Sequence, residues 1–485
     1  MKKYFIILWC FAMAGCSKFL NEDPKGQIVG ANAITDVKSL DAALTGAYKG
    51  VARTWARGFL NSSTQGFSMG GDDLTTIAGG NKAGFRQVDQ FAVTSSNANL
   101  SMIWNGCYKM IQGANNVIAN APKISGDKAL INGIIGEAHF LRAMGYYWLV
   151  RGFGPVPLIT QVSDAVTPAL LSIKKSAPQD IYKVIEGDLQ MAEVLLPDAK
   201  RDPGRPNAGG AKALLADVYL TEGGWPIKDA TKYALAAAKA KEVIDHKDLY
   251  NFDLVGLAVL WSGNASAIGT TEEVMAFHTS EDYGGSNNSF TGAPGTPPEE
   301  GGWEDFESEI NFFNNFPAGI RKDITFHTLF LKGDGTTVTW QNSIDKHPYY
   351  GKFRIAQNNR WYSSMPVHMI RYAHVLLIYA EAQARAEGTP NAQAYAGINA
   401  VRQRAGLPGL AELSGSDFVA AVVNERAWEF AAEGTTRWFD LQRLEKVEAA
   451  NANKNPGDLL PSKPITKADY WFPAPLADAS INPNL

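Results

Sequence analysis

The sequence predicts a mainly α-helical protein, an α-solenoid of helix pairs interrupted by long loops and short β-hairpins. Apolar residues recur at three- and four-residue steps in many separate segments, which places them on one face of a helix. Two of the resulting helix pairs share the same outline of Leu-Leu, Ala, an aromatic residue and a terminal Gly. The breaks between helices are rich in Gly, Asn, Ser and Thr, residues that favour turns and loops.

The N-terminal half contains four amphipathic segments with helix-terminus signals. Thr35 or Asp36 is suited to cap the first helix, and the third begins after Asp127. Pro178 stands at the first position of the fourth, where a missing N–H costs nothing, and Pro197 ends that helix. The predicted helices cover residues 36–55, 104–118, 128–151 and 178–196.

Two helix pairs follow the four N-terminal helices. The first joins residues 211–220 to 229–245, and the second joins residues 374–387 to 392–404. Their shared outline (KALLADVYLTEGG and HVLLIYAEAQARAEG) resembles tetratricopeptide helix pairs, in which an Ala-rich helix packs on one that bears a Tyr. The last predicted helices cover residues 417–432 and 437–444, and the tail from residue 451 is predicted as coil.

Three long breaks separate the helices, at residues 62–99, 250–303 and 333–364, and all contain many aromatic residues. Compact domains seldom carry loops longer than about 15 residues without a function or local strands. We therefore expect short hairpins at residues 336–340 and 349–355, and a ligand face among the loops.

Composition and charge exclude several classes of protein. Of the 485 residues, 45% are hydrophobic and 19% charged, which excludes disorder, collagen and coiled coil. The formal net charge of −4 and the absence of a long Lys/Arg run argue against nucleic-acid binding.

The N-terminus has the features of a lipoprotein signal. Lys2 and Lys3 precede an apolar stretch over residues 4–14, and the segment Met13-Ala14-Gly15-Cys16 resembles a bacterial lipobox. We expect residues 1–15 to be the signal peptide, Cys16 to be lipidated, and residues 16–30 to form a flexible stalk before one body over residues 31–485. Cys10 then leaves with the signal, so Cys107 is the one free thiol and no intramolecular disulfide is possible.

Several segments, in order along nearly the whole chain, resemble the SusD/RagB family of outer-membrane glycan-binding lipoproteins of Bacteroidetes. The two most specific are GEAHFLRAMGYYWLVRGFGPVPL at residues 136–158 and ERAWEFAAEGTTRWFDLQR at residues 425–443. The other matching segments are residues 16–20, 104–116, 203–220, 370–384, 398–407 and 471–485.

This resemblance implies a single mostly helical body with tetratricopeptide-like pairs, whose irregular insertions form a sugar-binding face. It divides the body into an N-terminal SusD-like part at about 31–222 and a C-terminal SusD/RagB part at about 270–485. It also implies a cell-surface, lipid-anchored location at the outer membrane and a SusC-like TonB-dependent transporter as partner. No cofactor is expected.

A sugar site needs flat aromatic faces for the pyranose ring, and amide, carboxylate or guanidinium groups for its hydroxyls. Loops on a rigid scaffold can present such groups without unpacking the core. The best candidates are Tyr283, Asn287, Asn288, Trp303 and Asp305. A second candidate edge contains Phe67, Met69, Asp72 and Asp73, and a third contains Trp340, Trp361 and Tyr362. By contrast, we expect structural roles within the solenoid for Arg142, Trp148, Glu425, Arg426, Arg437, Trp438 and Asp440.

Signals for catalysis are weak, and we expect no enzyme. Residues 66–70 have the G-x-S-x-G pattern of a nucleophile elbow. Such an elbow requires a strand before the serine and a helix after it, and the sequence predicts neither around Ser68. The seven His residues lack zinc-ligand spacing. The acid pairs at residues 72–73 and 299–300 leave a surface glycoside hydrolase as one alternative. Another alternative is a relative that likewise sits as a lid over the mouth of its transporter but binds peptides, because a fold does not determine its ligand.

Overall fold

The computed structural model describes residues 34–50, 63–162, 167–280, 291–355, 363–434 and 436–485. Within these ranges the chain forms eighteen α-helices and ten short strands. The helices are α1 Val37–Lys49, α2 Ser63–Ser68, α3 Ala83–Asp89, α4 Ala98–Asn120, α5 Lys128–Phe153, α6 Pro178–Leu195, α7 Ala208–Glu222, α8 Lys232–Asp245, α9 Lys247–Tyr250, α10 Leu257–Leu260, α11 Ile310–Asn315, α12 Ile320–Thr325, α13 Tyr372–Glu387, α14 Ala392–Arg404, α15 Gly415–Glu429, α16 Thr436–Arg443, α17 Val447–Asn451 and α18 Leu476–Ile481. The strands are β1 Leu74–Thr75, β2 Val156–Pro157, β3 Lys175–Ser176, β4 Glu273–Phe277, β5 Glu307–Ser308, β6 Phe326–His327, β7 Leu329–Leu331, β8 Thr337–Thr339, β9 Tyr349–Tyr350 and β10 Val367–Arg371.

The long helices stack on one another in sequence order, which confirms the mainly α-helical solenoid. The packed neighbours are α1 with α4, α4 with α5, α5 with α6, α6 with α7, and α7 with α8. Helix α8 then packs on α13, which also contacts α14 and α15. The two predicted helix pairs are therefore adjacent in space. Among the described residues, no helix combines the length and the apolar composition needed to span a membrane.

The predicted helix starts are confirmed by their capping bonds. Asp36 accepts a hydrogen bond from the backbone N–H of Ser39 at 2.7 Å, and Asp127 accepts one from Ala129 at 2.8 Å. Pro178 is the first residue of α6. The end of the first predicted helix, with Trp55, lies outside the described residues, as do the signal peptide, the stalk and Cys16.

Three segments predicted as irregular contain helices. The break over residues 62–99 includes α2 and α3, the break over residues 250–303 includes α10, and the tail predicted as coil includes α18. These helices have only four to seven residues, so an apolar pattern of period 3.6 repeats too few times to be recognised.

The strands form antiparallel pairs that brace the loops. Strands β7 and β8 form a hairpin with Leu329 opposite Thr339, which confirms the hairpin predicted at residues 336–340. Strand β9 pairs with β6, but Gly351–Phe353 is a 3₁₀ turn, so the prediction at residues 349–355 is only partly right. Strand β4, buried along its whole length, pairs with β10.

The charged residues of the sequence motifs pair inside the solenoid, as predicted. Arg142 on α5 donates to the carboxylate of Asp188 on α6 at 2.7 and 2.8 Å. Arg426 on α15 donates to Asp440 on α16, with its Nε 2.7 Å from Oδ2. These side chains are almost fully buried, so each charge depends on its partner for stabilisation.

Candidate functional site

Two of the loops predicted to bind sugar begin and end side by side. The hydroxyl of Thr279 donates to the Ser363 and Met365 carbonyls at 3.2 and 3.1 Å, and the hydroxyls of Thr291 and Ser363 are 2.6 Å apart. The Gly292 N–H donates to the Phe353 carbonyl at 2.9 Å. These bonds join the residues that flank segments 281–290 and 356–362. Tyr283, Asn287, Asn288, Trp361 and Tyr362 belong to those segments and lie outside the described residues.

A pocket of about 480 Å³, part of it open to solvent, lies where these loops begin and end. We call it the loop-root pocket. Trp261 forms an aromatic wall, with the Phe353 ring 6.0 Å and the His368 ring 5.6 Å away, both edge to face. The described residues that line it are Leu260, Trp261, Gly263, Ala267, Thr291, Lys352, Phe353, Arg354, Met365, Pro366, Val367, His368, Glu433 and Gly434.

The charges around the loop-root pocket are compensated within the protein. Lys352 is buried and donates to Oε1 of Glu433 at 2.6 Å, and Arg354 donates to Glu300 at 2.6 Å. Burial lowers the pKa of His368 to about 4, so its imidazole is neutral at neutral pH. An aromatic wall with paired charges and hydroxyls suits a neutral ligand that carries hydroxyl groups.

Trp303 lies on a turn beside this pocket. Its backbone N–H donates to the Ala293 carbonyl at 2.7 Å. Ala293 is two residues from Thr291, which lines the pocket. The side chain of Trp303 is half-buried. The turn requires glycine at position 302, because a Cβ there would lie 1.9 Å from the Thr296 carbonyl oxygen. Trp303 is thus held on a tightly folded loop next to the pocket.

Asp305 occupies a different environment from the exposed loop that the sequence predicts. Its side chain is buried and forms an ion pair with Lys82, which lies before α3. The carboxylate neutralises a buried ammonium group, so the expectation that it faces solvent is wrong.

Trp340 begins a 3₁₀ turn directly after β8. Its ring packs edge to face on Phe313 at 5.6 Å and stays half-buried. The third candidate edge is therefore present in the described part of the chain through Trp340 alone.

The second candidate edge is largely core. Phe67 on α2 is fully buried, with its ring 4.9 Å from Phe472 and 5.9 Å from Trp148. Met69 is also fully buried. The expectation that these two side chains lie on an exposed loop is wrong, because distant aromatic residues enclose this segment.

The two acids that follow, Asp72 and Asp73, bind the C-terminal half of the chain. Asp72 accepts two hydrogen bonds from Arg437, and Oδ2 of Asp73 accepts the Ala432 N–H at 2.9 Å. Burial raises the pKa of Asp73 to about 6. Both carboxylates therefore hold the fold together and are engaged by protein groups.

The acids considered for hydrolysis have structural partners. A general acid needs a raised pKa, yet three donors hold Glu300 and lower its pKa to about 2 in spite of its burial. Glu299 accepts the Ile344 N–H at 2.7 Å. Ser68 of the G-x-S-x-G spelling ends α2 and donates to the Gly434 carbonyl, so the residues around it form no strand-turn-helix elbow. In the described ranges no group of His, Cys, Asp and Glu is arranged to hold a metal ion.

Sequence reasoning missed Trp261, the aromatic wall of the pocket. Trp261 follows α10 within a predicted irregular stretch, in the sequence Trp-Ser-Gly-Asn. An aromatic residue just before a turn was the available signal. Apart from Leu260, Gly263 and Ala267, its neighbours in the pocket lie 30 to more than 170 residues away in the sequence, which no local pattern reveals.

Sequence comparisons match both halves of the chain. A family model described as "SusD family" matches residues 299–485, and one described as "Starch-binding associating with outer membrane" matches residues 18–220. SusD-like protein P2 of Formosa agariphila is 30% identical over 522 aligned residues, which cover 100% of this chain and 99% of that relative.

Structural comparisons agree with the sequence comparisons. A SusD superfamily protein from Parabacteroides distasonis superposes with a TM-score of 0.79 at 26% identity, covering 93% of this chain and 98% of that one. A laminarin binding SusD-like protein superposes with a TM-score of 0.75 at 25% identity, with coverage of 93% and 98%. From its sequence, its fold and these relatives, the chain belongs to the SusD/RagB family.

Proposed function

We propose that the chain is a lipid-anchored surface protein of the outer membrane that binds oligosaccharides and does not cleave them. It then delivers the bound glycan to a SusC-like TonB-dependent transporter. The lipobox-like segment ending at Cys16 supports the anchor. Membership of a family with glycan-binding relatives, one of them a laminarin binding protein, supports the ligand class.

The observation that carries this proposal is that the residues flanking two predicted sugar-binding loops meet beside one pocket. Hydrogen bonds among Thr279, Thr291 and Ser363 join the residues that flank both loops, beside a pocket with Trp261 as its wall. An aromatic wall can cover the apolar face of a sugar ring, and hydroxyl and amide groups can bind its hydroxyls.

The glycan would extend from this pocket across Trp303. Tyr283, Asn287 and Asn288 on one loop, and Trp361 and Tyr362 on the other, remain predicted contacts. The paired charges of the pocket favour a neutral glycan over a strongly charged one, because Lys352 and Arg354 in the described part of the lining already have carboxylate partners.

Affinity electrophoresis of the full-length chain in detergent tests the proposal. The gels contain plant, host and microbial polysaccharides, including laminarin, and the same mixtures are assayed for new reducing ends. We expect retardation by at least one polysaccharide without new reducing ends. New reducing ends would identify a hydrolase, and retardation by none would favour a peptide cargo; either result contradicts the proposal.

A further inference from the structure

Glu300 joins separate segments of the predicted ligand face. Its Oε1 accepts hydrogen bonds from Nε2 of His327 at 2.8 Å and from the Leu331 N–H at 3.0 Å. Its Oε2 accepts one from Nη1 of Arg354 at 2.6 Å. One carboxylate therefore receives three donors from three places in the chain.

Glu300 and two of its partners lie next to parts of the predicted ligand face. Glu300 stands three residues before Trp303, in the 3₁₀ turn Pro298–Glu300. Leu331 ends β7, whose hairpin partner β8 runs directly into Trp340. Arg354 lines the loop-root pocket. The carboxylate thus joins the Trp303 turn, the hairpin before Trp340 and the pocket.

The environment of Glu300 makes these bonds strong. Its side chain is only 8% exposed, whereas the side chains of its partners His327 and Arg354 are 19% and 25% exposed. Burial alone would raise the pKa of Glu300, but the three hydrogen bonds lower it to about 2. The carboxylate is therefore ionised throughout the neutral range, and hydrogen bonds to an ionised acceptor are about twice as strong as neutral ones.

The neighbouring acid, Glu299, has a simpler role. Its Oε1 accepts one hydrogen bond, from the Ile344 N–H at 2.7 Å, and the described residues provide no partner for its Oε2. The two glutamates share a turn and a side-chain type but differ in the number of segments they join. Glu299 therefore offers a matched control for Glu300.

We infer that Glu300 is a positioning residue for the ligand face, which fixes Trp303, Trp340 and Arg354 of the loop-root pocket relative to one another. This inference rests on the proposed function, since it assigns to Glu300 a role in glycan binding without contact to the glycan. Aromatic groups bind a sugar well only when they are held in place before it arrives.

The substitution Glu300→Ala removes all three acceptor bonds at once, whereas glutamine would keep one oxygen for some of the donors. Glu299→Ala shortens the neighbouring side chain by the same amount and removes only the bond from the Ile344 N–H. It is therefore the matched control.

The first measurement is hydrogen exchange at the Leu331 amide of the full-length chain in detergent. We expect exchange about tenfold faster in Glu300→Ala and unchanged in Glu299→Ala, because only Glu300 accepts a bond from that amide. The second measurement is retention by the polysaccharide that retards the unmodified chain. We expect affinity to fall about fivefold in Glu300→Ala, similarly in Arg354→Met, and no further in the double variant, because Glu300→Ala already breaks the link to Arg354.

Several results would overturn the inference. Unchanged exchange in Glu300→Ala would do so whether or not any polysaccharide binds, which keeps this test independent of the proposed function. Unchanged affinity in Glu300→Ala, or an equal loss in Glu299→Ala, would also contradict it. If Glu300→Ala does not fold, Arg354→Met alone decides, and unchanged affinity in that variant overturns the inference. Failure of the unmodified chain to bind any polysaccharide would contradict the proposed function instead.

Discussion

Arg437 and Asp72 form a bidentate ion pair, with Nε and Nη2 of the guanidinium each 2.6 Å from one carboxylate oxygen. The pair joins the segment after α2 to the first turn of α16, across most of the chain. Both side chains are largely buried, at 14% and 21% exposed. The two halves of the molecule are therefore held together by a geometry that only a planar, forked cation can satisfy.

Replacing Arg437 with lysine should weaken the fold. Lysine supplies a point charge and cannot make both bonds, so we expect the free energy of unfolding to fall by about 2 kcal/mol in urea titration. Lys183→Ala is the control, because its pair with Asp180 is highly exposed and should contribute less than about 0.5 kcal/mol. Equal losses in the two variants would contradict the prediction.

Asp73 should make stability depend on pH in the mildly acidic range. Burial raises its pKa from 3.8 to about 6, although the Ala432 N–H bond acts in the opposite direction. An acid whose pKa is higher in the folded state favours folding when protonated, so stability is lost as pH rises from about 4 to about 6. Asp73→Asn keeps an acceptor for Ala432 and removes the buried charge.

We therefore expect Asp73→Asn to raise the melting temperature at pH 7.5 and to have little effect near pH 3.5. Thermal unfolding of both proteins between these values measures the difference. A difference that stays constant with pH would show that Asp73 does not titrate in this range.

Trp303 should contribute to glycan affinity more than to stability. Loss of one stacking aromatic costs about 1 kcal/mol, so Trp303→Ala should reduce retention by the bound polysaccharide about fivefold. Trp428→Ala is the control, since this half-buried residue lies on α15, outside the ligand face. If both variants bind as tightly as the unmodified chain, Trp303 is not a contact.

Gly302 should be required for the shape of the Trp303 turn. A Cβ at this position would lie 1.9 Å from the Thr296 carbonyl oxygen, so Gly302→Ala must displace the backbone. We expect affinity to fall at least as far as in Trp303→Ala. Gly333→Ala, where a Cβ would meet no atom within 4 Å, should leave affinity unchanged. Normal binding by Gly302→Ala would mean that this turn does not shape the site.

The solenoid could be predicted because its signals are local. Asp127 and Pro178 mark helix starts through bonds and ring geometry within a few residues, and apolar periodicity gives the buried faces. The repeated helix-pair outline predicted a solenoid of helix pairs, and the structure shows that the two pairs meet through α8 and α13.

The site was less predictable because its residues meet over long sequence distances. Phe67 stands in a Gly-rich segment typical of a loop, yet rings from Trp148 and Phe472 enclose it. Asp305 follows a Gly-rich turn, yet its partner Lys82 is 223 residues away. A sequence pattern indicates that such residues are polar or aromatic, but the tertiary fold decides whether they face solvent.

Cys107 should be inaccessible to thiol reagents in the folded protein. It is fully buried on α4, and burial raises its pKa well above the ordinary value, so the reactive thiolate is scarce. In the chain from Ser17 onward it is the only cysteine, so its reaction with a chromogenic disulfide reports on unfolding. We expect a negligible rate in buffer and complete reaction in denaturing urea.

An exposed thiol provides the comparison for Cys107. Ala238→Cys places a second cysteine at an exposed position on α8, and that thiol should react at once in buffer. The unmodified chain should react at least about a hundredfold more slowly, because its thiol must wait for α4 to open. Similar rates for the two thiols would mean that α4 opens readily, which would contradict the close packing of α4 between α1 and α5.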